Sequence, residues 1–470
     1  MFDVELKQRT VLNGKLLRIW GTKMLSRLVS SRSYSAAAKV ASSSRSSSFV
    51  APTEEKVSRL SNGITVGSID NQGPVSQYVI AYRAGCRYEA ADEAGLVHHL
   101  RHAIGIDSNN YLGVKLLWQN GSIGGTLNAT SDRDLLFVHI SALRNHSPIA
   151  LSLLGEFAQP AMKPWDLEDV SHSMKIAAKA VDPFDITIEH LHKAAYRNGP
   201  LGNSNITPDF RAGKFCPKKL AKFAKSRLVA GEAAIVGINV DHSLLVQFAN
   251  EQNSIPEGKG TTAPASPYYG GDTRVASSSQ LAHVAIAGAG NGLNDAKGVA
   301  VQHVLAAAIG HGPATKYSPH HGHGVVTSSV LKSANQNPVG IAPLNITHSD
   351  SGLVGVYIVA DGARVEPYIR AAVDGLKQLA SQGASGDALE IAKKTAELNI
   401  LIRGENPATL ATDRAAQLLA SGSSQTPVEL AQEVRNVSND EIKKAAQKLM
   451  SKLSVGAFGN VAHVPYADQL

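Results

Sequence analysis

Four stretches of this chain recur, in the same order, in its second half. Asp92–Glu93–Ala94–Gly95 opens the apolar run 96–104, and Asp295–Ala296–Lys297–Gly298 opens the apolar run 299–309. Leu127–Asn128–Ala129–Thr130 is echoed by Leu344–Asn345–Ile346–Thr347, and the run from Asp132 to Ile140 by the run from Asp350 to Ile358. The Lys-rich stretches 218–226 and 441–451 lead into Val236–Gly237–Ile238–Asn239–Val240 and Phe458–Gly459–Asn460–Val461. The spacing between matches drifts only from 203 residues (Asp92 to Asp295) to 222 (Gly237 to Gly459). Ordered matches with so little drift read as an internal duplication, which fixes the chain as two similar units before local structure is considered.

Each unit opens with β-type apolar content, at 75–83 and 282–287, and continues into stretches of helical spacing such as 149–159 and 370–381. Mixed strands and helices predict an α+β fold. Each unit should be a mixed, mostly antiparallel sheet with helices packed on one face. Residues 251–275 are rich in Gly, Pro, Ser and Thr and poor in large apolar groups, so they read as a linker. The expected domains are 53–250 and 276–470. If both units have their own core, their sheets should face each other across a cavity.

The formal charge of +7 lies entirely in the first fifty residues. These hold nine basic groups and two acids, and the remaining 420 residues are neutral by the same count, which leaves no bulk basicity for nucleic acid. From Glu5 to Glu54 no acid occurs, while Arg, Lys, Ser and Ala recur. This composition reads as a mitochondrial transit peptide over 1–34, followed by a Ser-rich flexible segment over 35–52. Arg32, Tyr34 and Ser35 form the expected cleavage site. The other reading is a basic Ser-rich tail, and either Met1 or Met24 can be the start. No run approaches the roughly 18–20 apolar residues of a membrane span. Two cysteines, Cys86 and Cys216, make neither a disulfide framework nor a cluster or haem ligand set, so no cofactor is expected.

The chemistry-bearing segment is His98-x-x-Arg101-His102. His98 and His102, four apart on a helix, share one face at a zinc-ligand spacing. The inverted zinc motif is H-x-x-E-H, with Glu activating the bound water. Arg101 occupies that Glu position and cannot act as a base. A unit positive charge about 4 Å from a divalent ion costs about 8 kcal/mol at an effective dielectric near 20. The other reading of the two histidines is a partly buried polar pair without metal.

These residues resemble the pitrilysin family, to which the mitochondrial processing peptidase belongs. In that family a further downstream Glu is the third zinc ligand, but no Glu occurs from Val170 to Ile188, and Lys175 or Ala178 falls where the resemblance implies glutamates. Active members also hold substrate through an Arg and a Tyr of the second half, yet no Arg occurs from Val275 to Ala363. The segments 188–198, 347–357 and 459–470 are similar to the core protein 2 group of mitochondrial ubiquinol–cytochrome c reductase (complex III), with the likeness spanning about residues 53–470. That resemblance implies a non-catalytic subunit, important for assembly and stability of the complex, with a degenerate peptidase fold and no metal. It implies core protein 1 and other complex III subunits as partners, with no nucleic acid. It also implies a place on the matrix side of the inner membrane without a transmembrane segment. The alternative is a subunit of a processing peptidase that binds or cleaves presequences, with weak presequence binding as its trace. The Gly/His-rich segment 310–324 keeps that alternative open, since it is either a surface loop, an adventitious metal binder or the glycine-rich loop of such relatives. Gly288–Gly292 lacks the spacing and acidic partner of a dinucleotide fingerprint and reads as a loop.

Arg32 is placed for matrix cleavage, so the mature chain is expected to begin near Ser35. N-terminal sequencing of the mitochondrial form checks this, and a mature chain that retains residues 24–33 contradicts it.

Overall fold

The computed structural model describes residues 54–214, 216–313, 322–335, 337–384 and 386–470; the transit peptide, the Ser-rich segment and the cleavage residues Arg32, Tyr34 and Ser35 lie outside them. Glu54–Leu470 form one compact unit containing two sheets. The first has β1 (Lys56–Arg59), β2 (Thr65–Ile69), β3 (Val75–Tyr82), β4 (Thr126–Ser131), β5 (Leu136–Leu143) and β6 (Ala233–Ile238) in the order β1-β2-β6-β3-β5-β4. The second has β7 (Gly271–Ala276), β8 (Leu281–Ala289), β9 (Val339–Thr347), β10 (Gly352–Asp361) and β11 (Ser454–Gly459) in the order β7-β11-β8-β10-β9. β2 runs parallel to β6 and β7 to β11, and every other pairing is antiparallel. The two orders superimpose once the extra edge strand β1 is set aside. The recurring sequence stretches fall on equivalent strands: β4 with β9, β5 with β10, β6 with β11. The duplicated α+β architecture is as expected.

The helices of the first half are α1 (Leu96–His102), α2 (Gly113–Ser122), α3 (Ser147–Phe157), α4 (Pro164–Lys179), α5 (Pro183–Tyr196), α6 (Pro217–Arg227) and α7 (His242–Gln247). Those of the second are α8 (Ala296–Ile309), α9 (Val325–Ala334), α10 (Val365–Gln382), α11 (Asp387–Glu405), α12 (Pro407–Ser421), α13 (Pro427–Asn436) and α14 (Asn439–Ser451). Local sequence sets their ends. Thr426 and Ser438 each form a capping box with a Glu three residues on, and the Asn406 side chain accepts the N–H groups of Ala408 and Thr409. In α10 the buried Val365, Tyr368, Ile369, Ala372, Val373, Leu376 and Leu379 repeat at helical spacing and make one apolar face.

Strand alternation gives each sheet two apolar faces. Tyr78, Ile80, Leu136 and Val138 pack beneath α1 and α3, while Val284, Ile286, Val356 and Ile358 pack beneath α8 and α10. The opposite faces are covered by exchange. Val79, Ala81, Phe137 and Val236 of the first sheet lie under Leu410, Ala411, Ala415 and Leu418 of α12, which belongs to the second half. Ala285, Ala287 and Leu353 of the second sheet lie under Leu191, Ala195 and Tyr196 of α5, which belongs to the first. Gly456 lets α5 come down onto β11, since a Cβ there would sit 2.5 Å from the Leu191 nitrogen. Each half therefore completes the other's sandwich.

The connection between halves is shorter and tighter than the 251–275 linker expected. A π-helical turn runs over Phe248–Gln252, and residues 271–275 belong to strand β7, because pairing with β11 satisfies their backbone. Between these ends Thr261 donates through its N–H and hydroxyl to Glu232 (2.8 and 2.6 Å), and Pro264 presents its carbonyl to Arg87.

Arg87, fully buried, sits where the halves meet. Its Nη1 donates to Asp134 (2.9 Å), Asp350 (2.8 Å) and Ser349 Oγ (3.0 Å). Its Nη2 donates to the second Asp350 oxygen (2.6 Å) and to the Pro264 carbonyl (2.5 Å). Asp134 also accepts the Ser349 N–H at 2.7 Å, so the β4–β5 and β9–β10 turns, equivalent in the duplication, are bonded to each other. Burial opposes the charge on Asp134, but His348, the Ser349 N–H and Arg87 outweigh it and hold the carboxyl below its usual range. Removing one partner of a buried ion pair costs about 3–5 kcal/mol. Arg87→Ala is expected to lose that much on chemical denaturation, and Arg87→Lys to recover little of it, because one ammonium cannot serve two carboxylates and a carbonyl. A loss within about 1 kcal/mol, the range of exposed pairs, contradicts this.

Candidate functional site

The residues singled out from the sequence lie on α1 and α4, two helices in contact. Glu89 anchors the start of α1 by accepting the N–H groups of Gly95 (3.0 Å) and Val97 (2.6 Å), and burial pushes its carboxyl up to about 8 against those bonds. His98 and His102 share a face, with ring centroids 5.1 Å apart. The Nδ1 of His98 accepts the N–H of Thr207 at 3.1 Å, so a neutral His98 carries its proton on Nε2. Burial first, then Arg101 and His102, push the pKa of His98 down to about 3. His102 is lowered by burial and by Arg101, and its Nε2 is buried without a hydrogen-bond partner. Arg101, partly buried, is itself lowered by desolvation.

His99, between them, donates from Nδ1 to the Gly95 carbonyl (2.7 Å) and accepts the Gly213 N–H (3.2 Å). Gly213 is also where α4 arrives: a Cβ there would meet Lys175 Cε at 2.7 Å. Lys175 is exposed and Ala178 buried. Lys175 and the His99 ring thus both meet the 207–213 turn at Gly213, a proximity that sequence spacing does not contain. Among the described residues no group of three His, Cys, Asp or Glu side chains is placed to hold a metal ion. The donor set at α1 is two imidazoles beside a guanidinium, which does not fit a catalytic zinc site of three protein ligands.

A cavity of about 1740 Å³ is lined from both halves. His98, Arg101, His102, Lys175 and Ala178 are not in its lining. Its titratable lining includes Asp132, Asp134, His303, His348, Asp350 and Arg403 from the β4–β5 and β9–β10 turns, α8 and α11, together with Arg59, Arg83 and Lys259. Burial lowers His303 and His348 to about 4, in His348 despite the pull of Asp134, so both are neutral near pH 7. His192 Nδ1 donates to Ile188 (2.8 Å), and its Nε2 accepts from His348 Nε2 at 3.0 Å, which closes a buried imidazole pair across the two halves. The ends of the Gly/His-rich segment reach the cavity through His311 and His323, which pair across an isolated bridge; residues 314–321 between them lie outside the described set. Gly290 and Gly292 pack on the backbone of residues 350–353, with a Cβ at Gly292 placed 2.5 Å from the Asp350 carbonyl carbon, so close approach accounts for this loop.

Residues 65–209 match the insulinase domain (peptidase family M16), and residues 214–396 match the peptidase M16 inactive domain. A rat protein, cytochrome b-c1 complex subunit 2, mitochondrial, is 30% identical over 95% of this chain and 100% of its own length. The chain belongs to the peptidase M16 family. Its human relative of the same description is 30% identical over 89% of this chain and 92% of that protein. Mitochondrial-processing peptidase subunit alpha-2 of Dictyostelium discoideum reaches 26% over 87% of this chain and 93% of its own. Among solved structures, a chain of complex III2 from Candida albicans superimposes with a TM-score of 0.77 at 19% identity, covering 88% of this chain and 98% of that one, a likeness of fold. The M16 assignment accounts for the duplicated sheets.

With this donor set, the purified chain is expected to hold no stoichiometric zinc, and chelators to leave its melting temperature unchanged. Metal analysis that finds one tightly held zinc per chain, lost in His98→Ala, would sink this reading.

Proposed function

We propose that this chain is a non-catalytic core subunit of mitochondrial ubiquinol–cytochrome c reductase (complex III), acting in assembly and stability of the complex during electron transport from ubiquinol to cytochrome c. The observation that carries this is the 30% identity to cytochrome b-c1 complex subunit 2 along the whole of that relative. Lower identity to processing-peptidase alpha subunits makes the presequence-binding alternative the weaker one. The chain is mitochondrial by its relatives.

Several finer points belong to the same proposal. Arg101 stands in place of the general base, and Lys175 and Ala178 stand where the third ligand would be, so the chain does not hydrolyse peptides. It sits on the matrix side of the inner membrane beside core protein 1, held by protein contacts, since no helix among the described residues is long and apolar enough to cross a membrane. The N-terminal 34 residues are removed at import next to Ser35. The domains are 53–250 and a second half whose first strand begins at Gly271.

Blue-native electrophoresis of mitochondria probed for this chain is expected to place it in the complex III band. Its depletion should lower that band and quinol oxidation while precursor processing continues. Uncleaved precursors with an intact complex III band would favour the processing-peptidase reading and overturn this one. Arg101→Glu is expected to leave assembly intact and to create no peptidase activity.

A further inference from the structure

Among the described residues strand β1 is an outer edge of the first sheet: it pairs with β2 and with no other strand. Edge strands present unpaired N–H and C=O groups, and proteins guard them with charge. Here the guard is all of one sign. Lys56 and Arg59 are exposed on β1, and the residues that follow it, Ser61 to Gly63, pass into the lining of the large cavity together with Arg59. Gly63 packs on Gly231, with a Cβ placed 3.3 Å from its Cα, and Gly231 donates its N–H to Gly258 at 2.9 Å. This glycine floor, free of side chains, is flanked by Arg83 and Lys259, with Arg83 Nη1 3.7 Å from where a Gly260 Cβ would lie.

The acids nearest these cations in sequence are Glu54, Glu55 and Glu257, of which Glu55 faces Arg414, while Asp70 is bonded to Arg144, which together with Lys56 lowers its pKa. Among the described residues Lys56, Arg59 and Lys259 make no ion pair. Arg83 reaches Glu232 only at 3.6 Å, and Glu232 already serves Arg227 at 2.9 Å and Thr261. The other cavity carboxylates are engaged elsewhere: Asp134 and Asp350 by Arg87, Asp413 by Arg403 at 2.8 and 2.9 Å. Asp132 accepts the N–H groups of Asp134 and Leu135 at its own turn.

We infer that the β1 edge, with Arg59 and Lys259, docks an extended acidic segment of a partner protein, which adds a strand beside β1 at the cavity mouth. A guard made of cations repels a basic strand and favours an acidic one. Main-chain bonds along β1 supply affinity, and the cations supply sign and register. A cavity of about 1740 Å³ exceeds the roughly 300–1,000 Å³ of small-molecule sites, which favours a polypeptide over a free anion. The charge is opposite to what a basic presequence requires.

The test uses the full chain and two short fluorescein-labelled peptides, a Glu–Thr repeat and a Lys–Thr repeat, followed by fluorescence polarisation and hydrogen exchange. The Glu–Thr peptide is expected to bind, with affinity falling as salt rises, and to slow exchange of the β1 amides. Arg59→Ala combined with Lys259→Ala, both exposed and outside every ion pair, should weaken it about tenfold. Equal or tighter binding of the Lys–Thr peptide, or unchanged affinity in the double variant, overturns the proposal. Binding without protection of β1, or displacement by equimolar inorganic phosphate, overturns the added strand and leaves only an anion site.

Discussion

A guanidinium removed from water must find acceptors for its donors, and Arg87 finds them on three separate parts of the chain. Asp134 comes from the first half, Asp350 from the second, and Pro264 from the segment between them. The two carboxylates stand on turns that the duplication makes equivalent, so the buried charge lies where the repeated hairpins meet. These contacts converge on one buried side chain. Asp134 accepts the Ser349 N–H where the two turns touch, and the connection that offers Pro264 to Arg87 is also bonded to Glu232 through Thr261. The imidazole pair His192–His348 and the bond between the Tyr196 and Ser351 hydroxyls (2.9 Å) extend the seam along α5.

That seam makes the helix exchange possible. An apolar sheet face left open to water is costly, and in each half that face is filled by a helix from the other. Each half thus keeps a main core of its own and shares a smaller one with a helix of the other half. Stability is shared: loosening the seam around Arg87 uncovers Val79 and Phe137 on one side and Ala285 and Leu353 on the other. Such a body is poorly suited to opening and closing about a hinge and well suited to holding fixed surfaces toward neighbours.

The duplicated sheets were legible because their signals are local. Alternating apolar residues and the Asp-marked turns at Asp132 and Asp350 repeat in both halves, and the strands lie where those residues put them. The exchange was not legible. Leu410, Ala411, Ala415 and Leu418 give α12 an ordinary apolar stripe, and nothing in the stripe says which sheet it covers. The same limit applied to charge. Asp132–Arg133–Asp134 and Asp350 could be read as hairpin signals, but their bond to Arg87 depends on packing at sequence separations of 47 and 263 residues. At the candidate site the helical pairing of His98 and His102 followed from spacing alone, whereas Thr207 on His98 and the meeting of Lys175 with the α1 turn at Gly213 required the fold. The end of the linker was misplaced because Gly271–Ala276 has the composition of a loop and becomes a strand only by pairing with β11.

The α1 segment shows what remains when a motif keeps its helix but not its chemistry. A zinc site needs lone pairs aimed at one point and a carboxylate to offset the ion. Here the Thr207 N–H occupies Nδ1 of His98, burial and Arg101 disfavour protonation of both imidazoles, and the 207–213 turn seats Lys175 close by. Each of these interactions favours neutral histidines packed as structural groups. His98 and His99 tie α1 to residues 207 and 213, while His102 Nε2 is buried without a hydrogen-bond partner. α1 is thereby tied into the packing of the first half, and α4, where Lys175 is exposed and Ala178 buried, rests on the same turn.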